Sequence, residues 1–338
     1  MTFALALGVG TQNAKGQWLE VFYPNPILAP DTALVTAVQQ VLGYDRGNQA
    51  IAVSKAQMLS LSEKLIGEQA TAAAQLARSE RPLVVTVLET NEKPSSTPEV
   101  YLKLHLLSHR LCKPHSLNLE AMFGLLPNVA WTSEGAIDLE ELPSRQIEAR
   151  IQGRLLEVFS VDKFPKMTDY VVPKGVRIAD AARIRLGAYL GEGTTVMHEG
   201  FVNFNAGTLG TSMIEGRISA GVVIGEGADL GGGCSTMGTL SGGGNIVISV
   251  GKESLIGANA GIGIPIGDRC KVEAGLYVTA GTKVVLVDEQ NNPTKTVKAR
   301  DLAGMSDLLF RRNSTNGQVE CKVHSAAIQL NAALHANQ

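Results

Sequence analysis

Residues 172–214, VPKGVRIADAARIRLGAYLGEGTTVMHEGFVNFNAGTLGTSMI, carry an aliphatic residue or threonine at every sixth position. These positions are Val172, Ile178, Ile184, Leu190, Val196, Val202, Thr208 and Ile214. A period of six fits neither the period of a helix, about 3.6, nor that of a strand, about 2. It is typical of a chain that turns an equivalent corner every six residues, so that three corners close a coil of about 18 residues. The stretch therefore predicts a left-handed parallel β-helix whose interior is filled by these side chains.

The six-residue period continues beyond Ile214 with interruptions. The register pauses there, resumes, and is interrupted again by a glycine-rich stretch. The later positions are Ile224, Leu230, Thr236, Val250, Ile256, Ile262, Ile266, Val272, Val278 and Val284. The residue after an inward position is often glycine or alanine, which allows the backbone to bend. We predict three domains: an α/β N-terminal domain at 1–165, the left-handed β-helix at 166–286, and a small β C-terminal extension at 287–338.

Local patterns predict several elements outside the coil. Alanine-rich residues 54–80 have a helical pattern, and 100–111 fit either a helix or a strand. Asn316-Gly317 is a turn dipeptide, and 328–338 are expected to form a tail or short helix. Predicted strands lie in TFALALGVG (2–10), WLEVFYP (18–24) and RPLVVTVLET (81–90).

Composition excludes several classes of protein. The net charge of −2 and the aromatic content of 5% do not favour nucleic-acid binding. No stretch reaches the roughly 18–20 apolar residues that a membrane span needs. The 4 cysteines show no metal-binding spacing, and we expect free thiols in a reducing compartment. The expectation is a soluble cytoplasmic protein without nucleic-acid or membrane partners.

Glu215 is the first candidate for catalysis, because it takes a slot that small residues usually occupy. A carboxylate there can remove a proton from an attacking amine or act as a nucleophile. The alternative is an ion pair with Arg217, two residues further on. His198 is the single histidine of the coil region and is either a general base or a hydrogen-bonded corner residue. One histidine per chain excludes a zinc hydratase, which needs three.

Two further segments carry candidate binding functions. The stretch 231–245, GGGCSTMGTLSGGGN, is either a flexible corner or a place where a ligand approaches the backbone closely. The C-terminal segment is basic, and its cations either bind phosphates or form a solvated face. They are Lys295, Lys298, Arg300, Arg311 and Arg312. Because the coil interior is packed, chemistry must lie on outer faces or between subunits, and a homotrimer with three equivalent clefts is expected.

Four motifs resemble those of the tetrahydrodipicolinate N-succinyltransferase family, in the longer form found in actinobacteria and pseudomonad-like bacteria. They are MHEGFVNFNAGTLGTSMIEGRISAG (197–221), DLGGGCSTMGTLSGGGN (229–245), VEAGLYVTAGTKV (272–284) and DLLFRRNS (307–314). The resemblance is dense over 170–338 and looser before it. It implies a trimeric enzyme that moves succinyl from succinyl-coenzyme A to the amine of L-2-amino-6-oxopimelate, in lysine and diaminopimelate biosynthesis.

The resemblance assigns roles to individual residues. It places the catalytic glutamate on Glu215, as an acyl-anhydride nucleophile or as the base toward the substrate ammonium. The coenzyme A contacts that it implies are Arg217, Gly232, Ser235, Ala258, Glu273, Ala274, Gly281, Lys298, Arg311, Arg312, Asn313 and Ser314. Arg217, Arg183 and Arg185 are candidates for holding the substrate carboxylates.

The sequence departs from the family at the implied magnesium site. Relatives have an aspartate where this chain has Ala182, while the glutamate, Glu199, remains. Three copies of Glu199 converging on a trimer axis would repel one another without a cation or protonation. A metal at Glu199 is therefore expected to be structural and weak, or absent.

Two other functions compete with succinyl transfer. One is an acetyl-coenzyme A transferase that uses His198 as base. The other is a non-catalytic β-helix scaffold. The polar residues between 197 and 217 argue against a scaffold, because a structural prism does not need them.

Overall fold

The computed structural model describes residues 2–238 and 247–323. The chain divides into two compact units, Met1–Val171 and Val172–Gln338. The predicted tail at 328–338 and the centre of the glycine-rich stretch, 239–246, lie outside the described residues. Within the described ranges, no helix is long and apolar enough to cross a membrane. The three-domain division stays a prediction.

The first unit mixes helices with antiparallel strands. Its strands are β1 (Ala4–Gln12), β2 (Trp18–Phe22), β3 (Ile27–Leu28), β4 (Gln49–Val53), β5 (Leu83–Leu88), β6 (Val129–Thr132), β7 (Gly135–Asp138) and β8 (Val158–Asp162). Its helices are α1 (Thr32–Leu42), α2 (Lys55–Lys64), α3 (Gly67–Leu76), α4 (Thr97–Ser108), α5 (Met122–Leu125) and α6 (Leu142–Ile151), with a 3-10 turn at Met167–Asp169.

Two sheets organise these elements. The larger has the order β2-β1-β5-β4, with β3 paired to β1, and the smaller has the order β7-β6-β8. Leu5 and Val85 on one face of the larger sheet pack against α1, α2 and α3. Directly after β2, Tyr23 donates a hydrogen bond from Oη to the carbonyl of Pro98 in α4. The three predicted strands are therefore present, and α4 settles the ambiguity at 100–111 in favour of a helix.

The helical stretch at 54–80 contains two helices. Leu65 is extended, with φ −90° and ψ 169°, and Gly67 has φ +59°, so the chain breaks between α2 and α3. Helix α1 was not predicted, although Asp31 caps its start by accepting from the Leu34 amide and Gly43 ends it in the left-handed region.

The second unit consists mainly of very short strands. They are β9 (Arg177–Ile178), β10 (Tyr189–Leu190), β11 (Thr194–Val196), β12 (Phe201–Val202), β13 (Gly207–Thr208), β14 (Ser212–Ile214), β15 (Arg217–Ile218), β16 (Val223–Ile224), β17 (Asp229–Leu230), β18 (Ser235–Thr236), β19 (Ser249–Val250), β20 (Leu255–Ile256), β21 (Gly261–Gly263), β22 (Lys271–Val272), β23 (Tyr277–Thr279), β24 (Lys283–Val287), β25 (Pro293–Lys298), β26 (Leu308–Arg312) and β27 (Val319–Val323). Two 3-10 turns lie at Ala181–Arg183 and Ala299–Leu302.

Consecutive coil strands join three parallel sheets in turn, so the chain forms a three-sided parallel β-helix. We call the sheets A, B and C. Sheet A contains β9-β11-β14-β17-β20-β22, sheet B contains β12-β15-β18-β21-β23, and sheet C contains β10-β13-β16-β19. The inward side chains stack in one file per sheet. In sheet A, Val196 pairs with Ile214, which pairs with Leu230. The predicted repeat is confirmed.

Two details of the repeat differ from the prediction. Val172 is 64% exposed, so it lies outside the interior file. The register does not pause after Ile214. Ile218 is fully buried and pairs with Val202, so the next inward residue follows after four positions instead of six. Ile224 pairs with Val250, 26 residues away, so the chain between these two strands is longer than a coil of about 18 residues.

The C-terminal strands extend sheet A. Strand β26 pairs with β22 in parallel and with β27 antiparallel, and β24 joins β27 to β25. Phe310 pairs with Val272 and is fully buried, so it continues the inward file of the coil. The predicted turn at Asn316-Gly317 lies between β26 and β27, with Gly317 at φ +76°.

Candidate active site

Glu215 lies at a shortened corner of the coil. We call the turns from sheet A to sheet B the A–B corner. In neighbouring coils this corner spans six positions, from Val196 to Val202 and from Leu230 to Thr236, whereas Ile214 to Ile218 spans four. Two residues of turn are missing here, and the half-buried Glu215 therefore occupies a notch between two longer turns.

Hydrogen bonds hold this short corner against the next coil. The Glu215 amide donates to the carbonyl of Leu230 at 2.8 Å, and its carbonyl accepts from Gly233 at 3.2 Å. Carboxylate Oε2 lies 3.5 Å from the place that a Cβ on Gly232 would occupy. Gly232 thus leaves space for the Glu215 side chain.

Gly216 and Cys234 form a contact that the sequence pattern did not reveal. A Cβ on Gly216 would lie 2.3 Å from Cys234 Sγ and 2.7 Å from its carbonyl oxygen. Cys234 is 1% exposed, and burial raises the pKa of its thiol to about 12. The thiol is therefore a packing group beneath the Glu215 corner. All four cysteines are free and buried, as predicted.

Arg217 forms no ion pair with Glu215 among the residues that the structure describes. The alternative interpretation of Glu215 as the partner of Arg217 therefore gains no support and stays a prediction. Arg217 pairs in register with Phe201 and Ser235. Because parallel strands place register partners on the same face, Arg217 and Ser235 share the outer face of sheet B beside the notch.

Small residues continue along the A–B corner beyond the notch. The Gly232 carbonyl accepts from Asn259 at 2.9 Å, and the Ala258 carbonyl accepts from Gly275 at 2.8 Å. Ala274 follows in the next coil. Coils are spaced by about 4.8 Å, so Gly232, Ala258 and Ala274 form a narrow strip of small residues that starts at Glu215. We call it the corner strip.

The corner strip ends at the C-terminal hairpin. Glu273 Oε2 accepts from the Arg312 amide at 2.5 Å, which ties the hairpin to the strip. Arg311 donates to Glu320 at 2.9 Å and Asn313 donates to the same carboxylate at 2.7 Å. These bonds, with Asn313 as the larger cause, lower the pKa of Glu320.

The predicted coenzyme A residues thus fall into separate groups. Arg312 and Ser314 are exposed on the hairpin, whereas Arg311 and Asn313 hold Glu320. Gly281 and Lys298 lie at a different place, where β24 pairs with β25 and the Ala299 amide donates to the Thr282 carbonyl.

Glu199 and His198 lie at the A–B corner one coil before Glu215. The Glu199 carboxylate accepts from Arg183 at 3.2 Å and lies 3.0 Å from His198 Nδ1. Arg183 also lies 3.7 Å from Asp180. Arg183, proposed for substrate carboxylates, is therefore occupied by acidic residues of its own chain.

The donor set around Glu199 does not fit a magnesium ion within one chain. Both carboxylate oxygens already have partners, one of them a cation, and Ala182 supplies no ligand. Within the described residues no group of three histidine, cysteine, aspartate or glutamate side chains is placed to hold a metal. We therefore assign no catalytic step to a metal, and the convergence of three Glu199 copies stays a prediction.

Arg185 has a different environment from Arg183. Its Nη1 donates to Asn203 at 3.2 Å, and its guanidinium carbon lies 6.0 Å from the centre of the Phe201 ring. Since Phe201 pairs with Arg217 across sheet B, Arg185 lies near the same outer face. The structure thus favours Arg185 over Arg183 as a residue facing the Glu215 region.

A half-buried carboxylate at the head of the corner strip is suited to acyl transfer, because it can accept a proton or an acyl group while amides bind the donor. Together with the six-residue repeat, this site defines the chain as a hexapeptide-repeat acyltransferase. Residues 247–280 match the family model "Hexapeptide repeat of succinyl-transferase". Residues 126–166 match "Tetrahydrodipicolinate N-succinyltransferase middle".

Full-length relatives identify the family. The chain is 70% identical to a 2,3,4,5-tetrahydropyridine-2,6-dicarboxylate N-succinyltransferase of Pseudomonas putida, over 99% of this chain and 98% of the relative. It is 59% identical to the enzyme of that name from Vibrio cholerae, over 99% of each. The chain belongs to the 2,3,4,5-tetrahydropyridine-2,6-dicarboxylate N-succinyltransferase family.

A solved structure supports the fold. The crystal structure of a protein described as a 2,3,4,5-tetrahydropyridine-2-carboxylate N-succinyltransferase of Campylobacter jejuni superimposes with a TM-score of 0.87 at 31% identity. The match covers 97% of this chain and 93% of the Campylobacter chain.

Proposed function

We propose that this chain transfers the succinyl group of succinyl-coenzyme A to the amine of L-2-amino-6-oxopimelate, the open form of tetrahydrodipicolinate, in lysine and diaminopimelate biosynthesis. The observation that carries the proposal is the position of Glu215, in a notch at the head of the corner strip. The chain belongs to a family that is named for N-succinyl transfer, and this membership supports the choice of acyl group and acceptor.

The reaction needs a proton acceptor. An amine protonated at neutral pH has no free electron pair, so Glu215 takes its proton before the nitrogen attacks the thioester carbonyl. The C–N bond forms, the C–S bond breaks, and the coenzyme A thiolate leaves and takes up a proton. In the alternative path, Glu215 attacks the thioester first, and the amine then attacks the resulting anhydride.

The donor is held along the corner strip in this proposal. The pantetheine arm lies over Gly232, Ala258 and Ala274, where backbone groups supply hydrogen bonds. Exposed Lys298 and Arg312 bind phosphates, for which cationic side chains are suited. Arg217 and Arg185 hold substrate carboxylates on the outer face of sheet B. The role of Arg311 and Asn313 is to hold the hairpin through Glu320.

The proposal includes a left-handed coil and a homotrimer in which clefts form between neighbouring β-helices. A closed cyclic assembly makes the three clefts equivalent. The family membership supports the handedness, since the hexapeptide repeat is shared. Four free buried thiols favour a cytoplasmic setting, where cysteines stay reduced.

Release of free thiol from succinyl-coenzyme A in the presence of the aminopimelate tests the function. Glu215→Gln removes the charge while keeping the shape, and we expect kcat to fall by about 100- to 10,000-fold. Glu226→Gln is the control, because Glu226 is an exposed carboxylate two residues after the inward Ile224, at a different corner. Wild-type turnover by Glu215→Gln, or faster turnover with acetyl-coenzyme A, would contradict the proposal.

Isotope exchange separates the two roles of Glu215. If Glu215 forms an anhydride, labelled coenzyme A exchanges into succinyl-coenzyme A without any amine present. If Glu215 acts as a base, exchange requires the acceptor.

A further inference from the structure

Exposed apolar side chains are concentrated in one short part of the first unit. Of the seventeen large hydrophobic residues exposed among the described residues, six lie within residues 147–161. We call this set the 147–161 face. Its members are Ile147, Ile151, Leu155, Val158, Phe159 and Val161, exposed by 61%, 73%, 57%, 37%, 58% and 55%. Single exposed hydrophobic residues need no explanation, but a cluster of this kind marks an interaction surface.

Strand β8 forms one part of the 147–161 face. In the described structure β8 pairs with β6 alone and is the edge of its sheet. All residues from Val158 to Val161 are exposed. Phe159 is an extra residue at a bulge, since Trp131 pairs with Ser160 and Thr132 with Val158. An apolar edge strand offers unpaired backbone groups to another chain unless something covers it.

Helix α6 forms the other part. Ala149 is its one buried residue, packed with Ala130, Ile137 and Leu156. Ile147 and Ile151 are four positions apart and hence lie on one side of the helix. Ala149 lies two positions from each, about 200° around the axis, so these isoleucines face away from the sheet. A soluble helix normally buries its apolar stripe, and α6 instead exposes one.

The charged neighbours of the face do not favour a lipid surface. Arg145 and Arg154 both pair with Glu134, and Glu148 and Glu157 lie within the same segment. A mixed-sign rim around an apolar centre is the anatomy of a protein–protein interface, whereas a membrane-binding face is rich in cations.

The area fits a contact between subunits. Six side chains exposed to this degree, on α6, on β8 and at Leu155 between them, present on the order of 500 Å² of apolar surface in total. One side of a stable interface buries about 800 Å², of which slightly more than half is non-polar. The face therefore supplies the apolar share of one complete interface.

We propose that the 147–161 face packs against a second copy of this chain. The proposed trimer, on which this step rests, places further copies of the chain beside each subunit, so the second copy is the partner already required. The first unit would then contribute to assembly, in addition to the β-helix that forms the clefts.

Two substitutions and one control test the proposal. Ile151→Glu on α6 and Val161→Glu on β8 place a charge on the face and change no residue of the Glu215 corner. Ile66→Glu is the control, because Ile66 is 86% exposed and lies between α2 and α3. Sedimentation velocity over a dilution series should show the face variants dissociating at concentrations at least about tenfold above wild type. The Ile66 variant should match wild type.

Hydrogen exchange on the wild-type chain supplies a test that does not depend on variant folding. Amides of residues 158–162 should exchange more slowly in the assembly than after dilution to single chains. Equal exchange in both states, or face variants that assemble as wild type does, would overturn the proposal, as would a wild-type chain that is monomeric at every concentration. If the chain assembled as expected but released no thiol from succinyl-coenzyme A, that result would contradict the proposed function and leave the proposed contact between copies intact.

Discussion

Glu215 occupies a slot in which a side chain normally meets the next coil. A Cβ on Gly231 would lie 2.7 Å from the Ala258 amide nitrogen, and one on Gly257 would lie 2.5 Å from that of Ala274. Glycine is needed at such corners because the neighbouring backbone is so close, which is a stricter reason than the bending inferred from the repeat. A carboxylate fits at 215 because Gly232 stands opposite it at a shortened corner. A residue such as Glu215, which breaks the steric preference for glycine at a coil corner, is thus a good indicator of a functional site.

At the residue scale, Gly216→Ala should impair catalysis without unfolding the coil. The new methyl group meets Cys234 Sγ at 2.3 Å and must displace the corner that carries Glu215. A displacement of about 1 Å can cost about 100-fold in rate, so we expect kcat to fall by about 10- to 100-fold.

Steady-state kinetics on Gly216→Ala, with thermal unfolding in parallel, check this. Gly124→Ala is the control, since a Cβ there has no neighbour within 4 Å. Adding Cys234→Ala removes the contact with Sγ but leaves the contact with the carbonyl oxygen of residue 234 at 2.7 Å. We therefore expect the second substitution to restore only part of the lost kcat. A stable Gly216→Ala enzyme with wild-type kcat would show that the corner tolerates the methyl group.

At the scale of elements, α4 is the clearest case in which the fold decides what the sequence left open. Its sequence contains Glu99 and Lys103, yet Pro98 to Ser108 are all buried. Lys103 Nζ donates to the carbonyl of Asn118 at 2.7 Å and to Asn91 Oδ1 at 3.1 Å. Because α4 is buried on all sides, its sequence has no amphipathic pattern. Periodicity alone therefore could not decide whether 100–111 form a helix or a strand.

His105 in α4 and His109 at its C-terminal cap should make the stability of the first unit depend on pH. Burial lowers the pKa of His105 to about 3 and of His109 to about 4. The rings lie 5.5 Å apart, and within the described part of the chain His105 Nδ1 and His109 Nε2 have no hydrogen-bond partner. The unfolded chain therefore binds more protons below the ordinary histidine pKa, about 6.5, and stability falls as pH drops from there toward 4. Glu20 opposes this, because burial raises its pKa.

Urea unfolding between pH 4.5 and 7.5 measures the effect. His105→Phe keeps a ring but cannot titrate, so the loss of stability on acidification should shrink by on the order of 2 kcal/mol. His115→Asn is the control, since His115 is exposed and asparagine tolerates its φ of +68°. An unchanged pH slope in His105→Phe would assign the acid sensitivity to other groups.

At the scale of the whole molecule, the coil is completed by chain that is distant in sequence. Phe310 pairs with Val272 and occupies an inward position 38 residues later, and β26 thereby covers the last coil strand of sheet A. Solenoids need such a terminal cap, because their last repeat otherwise exposes its apolar interior.

Phe310→Ala should weaken this cap. Deleting a fully buried ring costs about 3–5 kcal/mol, and the loss should appear first at the C-terminal end of the coil. Denaturant unfolding and hydrogen exchange across β22 and β26 check this. Leu309→Ala, next to it and only half-buried, should cost markedly less. Equal effects of the two substitutions would show that Phe310 is not part of the interior file.

The sequence alone determined the three-sided coil, because an inward position that recurs every six residues is a local property of the chain. It also singled out Glu215, which breaks the rule of small corner residues. Tertiary structure alone decided that Ile214 and Ile218 are successive inward residues, that Cys234 lies beneath Gly216, that Arg311 and Asn313 are committed to Glu320, and that Phe310 closes the file. The pairings between coils join residues 16 or more positions apart, and the bonds to Glu320 cross the C-terminal hairpin. A local period of six contains no information about which of these residues meet.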